Sequence, residues 1–254
     1  MDEIIIYCED IPRPEAIPWK QVLAGENRIN LVYLPLERFR EVIPRLYHHL
    51  NAAEQDTASR MRRDSQRDAY VLNHSVLRIL LAADKGIVPR EVDIRAGENG
   101  KPFLFGSGFP HFNLSDAEGA AMQAYAGHPL GVDLEWISPE FDTEPIASRF
   151  FSNRECRRIQ KKGREWFFKY WTRKEALLKA TGIGIAHVLP CIEVVGGVNI
   201  VNRRCAGSFL GKAKEYSIKS FRLDDYYVSI ASERRETVLT ICVPEPSELM
   251  ESPV

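Results

Sequence analysis

Between Glu165 and Thr181 the chain reads as a single helix with almost no polar side. Phe167, Phe168, Tyr170, Trp171, Ala176, Leu177 and Leu178 cover most of its circumference, and Gly182 and Gly184 mark its end. A helix apolar on so many sides must be packed on several of them, so the rest of the chain has to build layers around it. Glu175 and Lys179 stand four residues apart on this helix, with Trp171 four before Glu175, and all three share one stripe. On a solvated surface such an ion pair contributes roughly 0.2–0.5 kcal/mol. In a core, a carboxylate and an ammonium persist only with partners. A cation for Glu175 and a phosphate for Lys179 would supply them.

A second acidic feature lies upstream. Leu130 to Trp136 reads as a strand, and Asp133 and Glu135 point to the same face of it. Two carboxylates on one face of an otherwise apolar strand repel each other and are costly to desolvate. A hard cation such as Mg²⁺, or Mn²⁺, relieves both costs through oxygen ligation. Taken alone, the pattern equally describes a solvated strand edge. Gly100-Lys-Pro102 sits in a glycine-rich stretch, 97–108, ahead of Phe112-Asn-Leu-Ser115. A lysine in such a loop can reach a phosphate, although exposed loop lysines are common.

Around these features the pattern predicts strands at 4–7 and 31–34 with a proline-rich loop, 11–19, between them. Helical spacing follows over 37–50. One long helix is expected over 53–85, with Arg60, Arg62, Arg63, Arg67 and Arg78 on its polar side. Strands at 92–94, 111–115 and 121–126 lead to a turn at Gly127-His-Pro129, which places a domain boundary between residues 1–128 and 129–254. The second half reads as strand 130–136, helices 143–151, 153–162 and 165–181, then strands 192–195, 198–201, 216–222, 226–231 and 237–243, with a loose tail from Pro244. The fold class is therefore α+β, with two subdomains and a cleft between them.

The 254 residues, 44% hydrophobic and 27% charged, have ordinary globular composition and can bury a substantial core. A net charge of −1 argues against nucleic acid as a partner of the whole molecule. No apolar run is long enough to span a membrane, and the N-terminus lacks the pattern of a secretory signal. Cys8, Cys156, Cys191, Cys205 and Cys242 are odd in number and contain no C-x-x-C pair, which fits reduced thiols in a cytoplasm and disfavours zinc.

Together the motifs resemble those of the Sfp-type 4'-phosphopantetheinyl transferases. The family's G-(V/I)-D-x-E stands here as Gly131-Val-Asp-Leu-Glu135, and its W-x-x-K-E-A-x-x-K as Trp171-Thr-Arg-Lys-Glu-Ala-Leu-Leu-Lys179. Phe150-Phe-Ser-Asn-Arg-Glu155 matches F-F-S-x-x-E, while Gly100 to Pro102, Phe112 to Ser115 and Ala180-Thr-Gly-Ile-Gly184 complete the set in order. The resemblance implies two pseudo-symmetric α+β halves with the active site between them, in one chain that acts as a monomer. It implies coenzyme A as substrate, with Mg²⁺ held by Asp133, Glu135 and Glu175. A serine of an acyl or peptidyl carrier protein would attack the β-phosphate and 3',5'-ADP would leave. Lys179 would stabilise the pyrophosphate charge, and Glu175, a metal-held water or Glu155 would take the serine proton. Lys101, Pro102, Ser115 and Lys174 fall on the coenzyme A side. The acidic carrier helix of that family would be steered by basic side chains at the cleft mouth.

The chain departs from the family at F-N-(L/I)-S-H-S, which reads Phe112-Asn-Leu-Ser-Asp-Ala117. Asp116 thus replaces a histidine that meets the 3'-phosphate of coenzyme A, and a second negative charge there is unfavourable. Glu54, Thr57 and Ala69 stand where the family carries basic residues. Arg62, Arg63 or Arg67 could take over that contact. Otherwise the 3'-phosphate goes unread, or the chain is a diverged relative recruited to other chemistry or to binding coenzyme A or a carrier.

Overall fold

The computed structural model describes residues 3–23, 28–97, 99–106, 110–182, 188–202, 204, 213–235 and 237–250. In chain order the elements are β1 (Glu3–Asp10), β2 (Glu15–Ala16), β3 (Arg28–Pro35), α1 (Leu36–Phe39), α2 (Ile43–Leu46), α3 (Ala52–Ser59) and α4 (Asp64–Lys85). β4 (Ile94–Ala96), β5 (Pro102–Leu104), β6 (His111–Ala117), β7 (Ala120–Ala126) and β8 (Leu130–Trp136) follow. The remainder comprises α5 (Glu144–Phe150), α6 (Asn153–Lys162), α7 (Arg164–Thr181), β9 (Gly197–Asn202), β10 (Glu215–Leu223), β11 (Tyr226–Ser232), β12 (Val238–Cys242) and α8 (Pro246–Met250).

The chain divides into two compact units. One contains Met1–Pro14, Ala96–Lys101 and His128–Thr237, the other Glu15–Arg95, Pro102–Gly127 and Val238–Val254. This differs from the expected division into 1–128 and 129–254. The passage at Gly127/His128 agrees, but the two ends of the chain change places. β1 pairs in parallel with β10, and β12 pairs in parallel with β3. Pairings between opposite ends of a chain leave no trace in local periodicity, which is why the sequence does not display them.

In the first unit the sheet order is β8-β11-β10-β1-β9, and α7 packs on β8 and β11. Ile4, Ile6, Tyr216 and Ile218 from the sheet meet Phe167, Tyr170 and Leu177 of α7 in one apolar core. α7 is thus packed as its composition requires. It ends at Gly182, which takes a left-handed φ of 70° and donates its N–H to Leu178 O. In the second unit the order is β2-β12-β3-β7-β6, with α4 contributing Val71, Leu72, Val76, Leu77 and Leu81 to the core.

Three local expectations change. The long helix over 53–85 is broken at residues 60–63, because consecutive arginines repel and Asp64 starts a new helix with an acid in its first turn. Residues 192–195 form no strand; they follow a short 3-10 turn, Leu189–Cys191. The tail after Pro244 contains α8, whose Leu249 is fully buried in the second core. Of the three basic positions expected upstream, Glu54 proves to be structural. It closes a capping box with Asn51 and pairs with the fully buried Arg78 at 2.5 Å. Burial alone would raise its pKa, but hydrogen bonds from His74 and Arg78 outweigh that and hold it at about 2.

Candidate active site

Gly131 fixes the approach of α7 to β8. A Cβ there would lie 2.1 Å from Ala176 O and 2.3 Å from Ala180 N, so the helix backbone rests directly on the strand. Residues 131, 133 and 135 share the face that meets α7. Asp133, almost fully buried, accepts from Lys179 Nζ at 2.7 Å through Oδ1. Glu135 accepts from the Trp171 indole N–H at 3.1 Å. Trp171 is itself held by Phe150, Phe151 and Phe167. The stripe of Trp171, Glu175 and Lys179 expected from helical spacing therefore faces the strand carboxylates.

The electrostatics of this cluster are unusual for carboxylates. Burial, and then the neighbouring Asp133, push Glu135 up to about 8. The same two causes push Glu175 up to about 7. Glu175 Oε1 is buried with no hydrogen-bond partner among the described residues. Acids raised in the folded state stabilise it fully below their unfolded pKa, and that contribution is lost as pH rises through the folded value. We therefore expect the cation-free protein to lose stability from about pH 4.5, the unfolded value, up to about pH 8, the higher of the two folded values, and Glu175→Gln to flatten the loss. Urea denaturation midpoints across that range measure it; equal slopes for both proteins would contradict the assignment.

Other candidates are placed differently. Lys101, expected at a phosphate, donates to Leu130 O at 2.8 Å and Lys179 O at 2.5 Å. It caps the C-terminal end of α7, where a positive charge is favoured by the helix dipole. Burial lowers its pKa to about 8. Glu155, a candidate base, and Lys174, a candidate coenzyme A contact, are both fully buried and bonded to each other at 2.9 Å. Glu155 also closes a capping box with Ser152 and accepts from Val194 N. Lys174 donates to Leu189 O and Ile192 O. In this arrangement the pair ties α6, α7 and the 189–194 segment together.

Pro102, Ser115, Asp116, Arg62, Arg63 and Arg67 belong to the second unit. Asp116 is exposed on β6 beside the buried Ser115. Arg62 and Arg63 are exposed on the connection between α3 and α4, and Arg67 pairs with Asp64. Sequence reasoning missed Asp10, at the end of β1. It pairs with Lys169 and, at 2.8 Å, with the fully buried Arg173 of α7. Arg173 also donates to Ser220 Oγ and Val194 O. The signal was there: Lys169 and Arg173 lie four apart on a buried helix and require an anion.

Comparison with known proteins follows the same residues. A family model described as the 4'-phosphopantetheinyl transferase superfamily matches residues 129–241. The chain is 33% identical over 184 residues to the 4'-phosphopantetheinyl transferase HetI of Nostoc sp., a match spanning 69% of this chain and 76% of that relative. It is 33% identical over 142 residues to the 4'-phosphopantetheinyl transferase gsp of Aneurinibacillus migulanus, spanning 53% of this chain and 58% of the relative. It is 22% identical over 167 residues to the 4'-phosphopantetheinyl transferase Sfp of Bacillus subtilis, spanning 64% and 74%.

Proposed function

The chain belongs to the 4'-phosphopantetheinyl transferase superfamily, and from that premise we propose that Asp133, Glu135 and Glu175 hold a divalent cation, Mg²⁺ or Mn²⁺, while phosphopantetheine passes from coenzyme A to a serine of an acyl or peptidyl carrier protein. The observation that carries this reading is Glu175 Oε1, a buried oxygen with no hydrogen-bond partner among the described residues, next to two further carboxylates. Such a group calls for a cation or a proton.

The donors fit a hard cation in kind, since all three are carboxylates and burial with mutual repulsion raises two of them. Among the described residues no group of three or more His, Cys, Asp or Glu side chains stands, as the side chains lie, where it could hold a metal ion. Lys179 meanwhile neutralises Asp133. A bound cation would supply the positive charge that a pyrophosphate needs as its bridging bond breaks. The chain's own residues supply the rest. Glu175, whose Oε1 has no hydrogen-bond partner among the described residues, would take the serine hydroxyl proton through that oxygen. The serine oxygen then bonds to the β-phosphorus, the bond to the bridging oxygen breaks, and 3',5'-ADP leaves. Lys179, part-exposed beside Asp133, offers its ammonium to the departing charge. Trp171 keeps Glu135 in place through its indole N–H.

The experiment is a carrier protein incubated with this protein, coenzyme A and Mg²⁺. Its mass should rise by one phosphopantetheine, and chelation of the metal should prevent the gain. A carrier that a characterised transferase modifies but this chain does not would overturn the reading. Binding of coenzyme A against its dephospho form separates the remaining question. A marked preference for coenzyme A supports Arg62, Arg63 or Arg67 at the 3'-phosphate; equal affinity means that phosphate goes unread.

A further inference from the structure

Lys101 reaches the junction of the two elements that carry the carboxylate cluster. Just before it the chain turns tightly: Gly100 takes a left-handed φ of 80°, and Gly97 donates its N–H to Lys101 O at 2.9 Å. The aliphatic stem runs past Gly182, where a Cβ would lie 3.5 Å from Lys101 Cδ. The ammonium donates to Leu130 O at 2.8 Å, to Lys179 O at 2.5 Å and to Ala180 O at 3.3 Å. An ammonium has three protons, and main-chain oxygens take all of them.

Helix capping accounts for part of this arrangement. The last carbonyls of a helix lack partners within it, and Lys179 O and Ala180 O stand at that end of α7. Leu130 O has a different origin: it opens β8, three residues before Asp133. One ammonium thus bonds the strand that carries Asp133 and the residue whose side chain meets Asp133 at 2.7 Å. Gly131 fixes how closely the two backbones approach, whereas directional hydrogen bonds fix where along each other they lie. A slip of one residue moves a helix by about 1.5 Å along its axis. A misplacement of about 1 Å at a reacting group costs on the order of a hundredfold in rate.

We propose that Lys101 is a positioning residue: it locks the end of α7 to the start of β8, and so places Lys179 on Asp133 with Glu175 one turn back, without itself touching coenzyme A. Its kinetic effect rests on the proposed transfer; its effect on the ion pair does not.

The test compares Lys101→Met, which removes the ammonium, with Lys101→Arg, which keeps the charge. A phosphate accepts a guanidinium as readily as an ammonium, but a planar fork does not converge on three carbonyls as an ammonium does. Circular dichroism and thermal melts establish folding, and Lys101→Arg carries every comparison if Lys101→Met does not fold. Both variants should lose about tenfold or more in kcat, with KM for coenzyme A within about twofold of the wild type. Calorimetric titration with coenzyme A should show the same unchanged affinity. Lys85→Met, which removes an exposed lysine from the last turn of α4, should alter neither constant. A raised KM for coenzyme A in Lys101→Met that Lys101→Arg restores overturns the positioning role in favour of a direct phosphate contact. A second measurement needs no turnover. Lys179→Met should raise the unfolding constant less in a Lys101-substituted background than in the wild type, by a factor of about three or more in urea titrations. Equal effects in the two backgrounds overturn the positioning role, whether or not the chain transfers phosphopantetheine. Absence of transfer by the wild type, with this coupling present, strikes the proposed function alone.

Discussion

Gly131→Ala is expected to destabilise the protein by at least about 3 kcal/mol, the upper range for forced overpacking, and to cost it the active site at the same time. The added methyl group would sit 2.1 Å from Ala176 O and 2.3 Å from Ala180 N. Both are backbone atoms of α7, so no rotamer change relieves the clash. The helix must lift from β8 as a body, and with it go Lys179 from Asp133 and Trp171 from Glu135. Gly196→Ala is the matched control, because nothing lies within 4 Å of the corresponding position. Urea denaturation of the two variants decides the matter. A Gly131→Ala protein as stable as the wild type would show that α7 does not lie on the strand at this distance.

The second large effect concerns Lys174. Lys174→Met should cost about 3–5 kcal/mol, because Glu155 would keep a buried charge without its ammonium. Glu155 is fully buried and bonded to Lys174 at 2.9 Å. Its remaining donors, Ser152 N and Val194 N, are neutral. Removing both charges, as Glu155→Gln with Lys174→Met, should recover a substantial part of the loss, and a double-mutant cycle measures the coupling. A coupling near zero would mean that the pair does not hold α6 and α7 together. It would also favour a role for Glu155 or Lys174 toward substrate over a purely structural one.

How much of this was legible in the chain follows from which interactions are local. Asp133 and Glu135 were readable as one face because strand geometry alone decides it. The stripe of Trp171, Glu175 and Lys179 was readable because helical spacing decides it. Burial of α7 followed from its composition. What the motifs did not reveal was the use made of each charge. Lys101, Glu155 and Lys174 stand in motifs as prominent as those of the carboxylate cluster, yet each is consumed by backbone carbonyls or by a buried partner. Such partners lie far off in sequence and appear only when the fold is closed. The exchange of β1 and β12 between the two units was hidden for the same reason, and so was the pairing of Asp10 with Arg173. The upstream helix broke at residues 60–63 because a run of like charges overrode an otherwise continuous pattern.

The account centres on the carboxylates of β8 and α7 acting as one site. The most direct measurement is the mass of a carrier protein incubated with coenzyme A, Mg²⁺ and either the wild-type chain or Asp133→Asn, a change close to isosteric at a residue bonded to Lys179. The account predicts a gain of one phosphopantetheine with the wild type and a loss of transfer of about a hundredfold or more with Asp133→Asn, at unchanged folding. Transfer by a folded Asp133→Asn protein at the wild-type rate would contradict it.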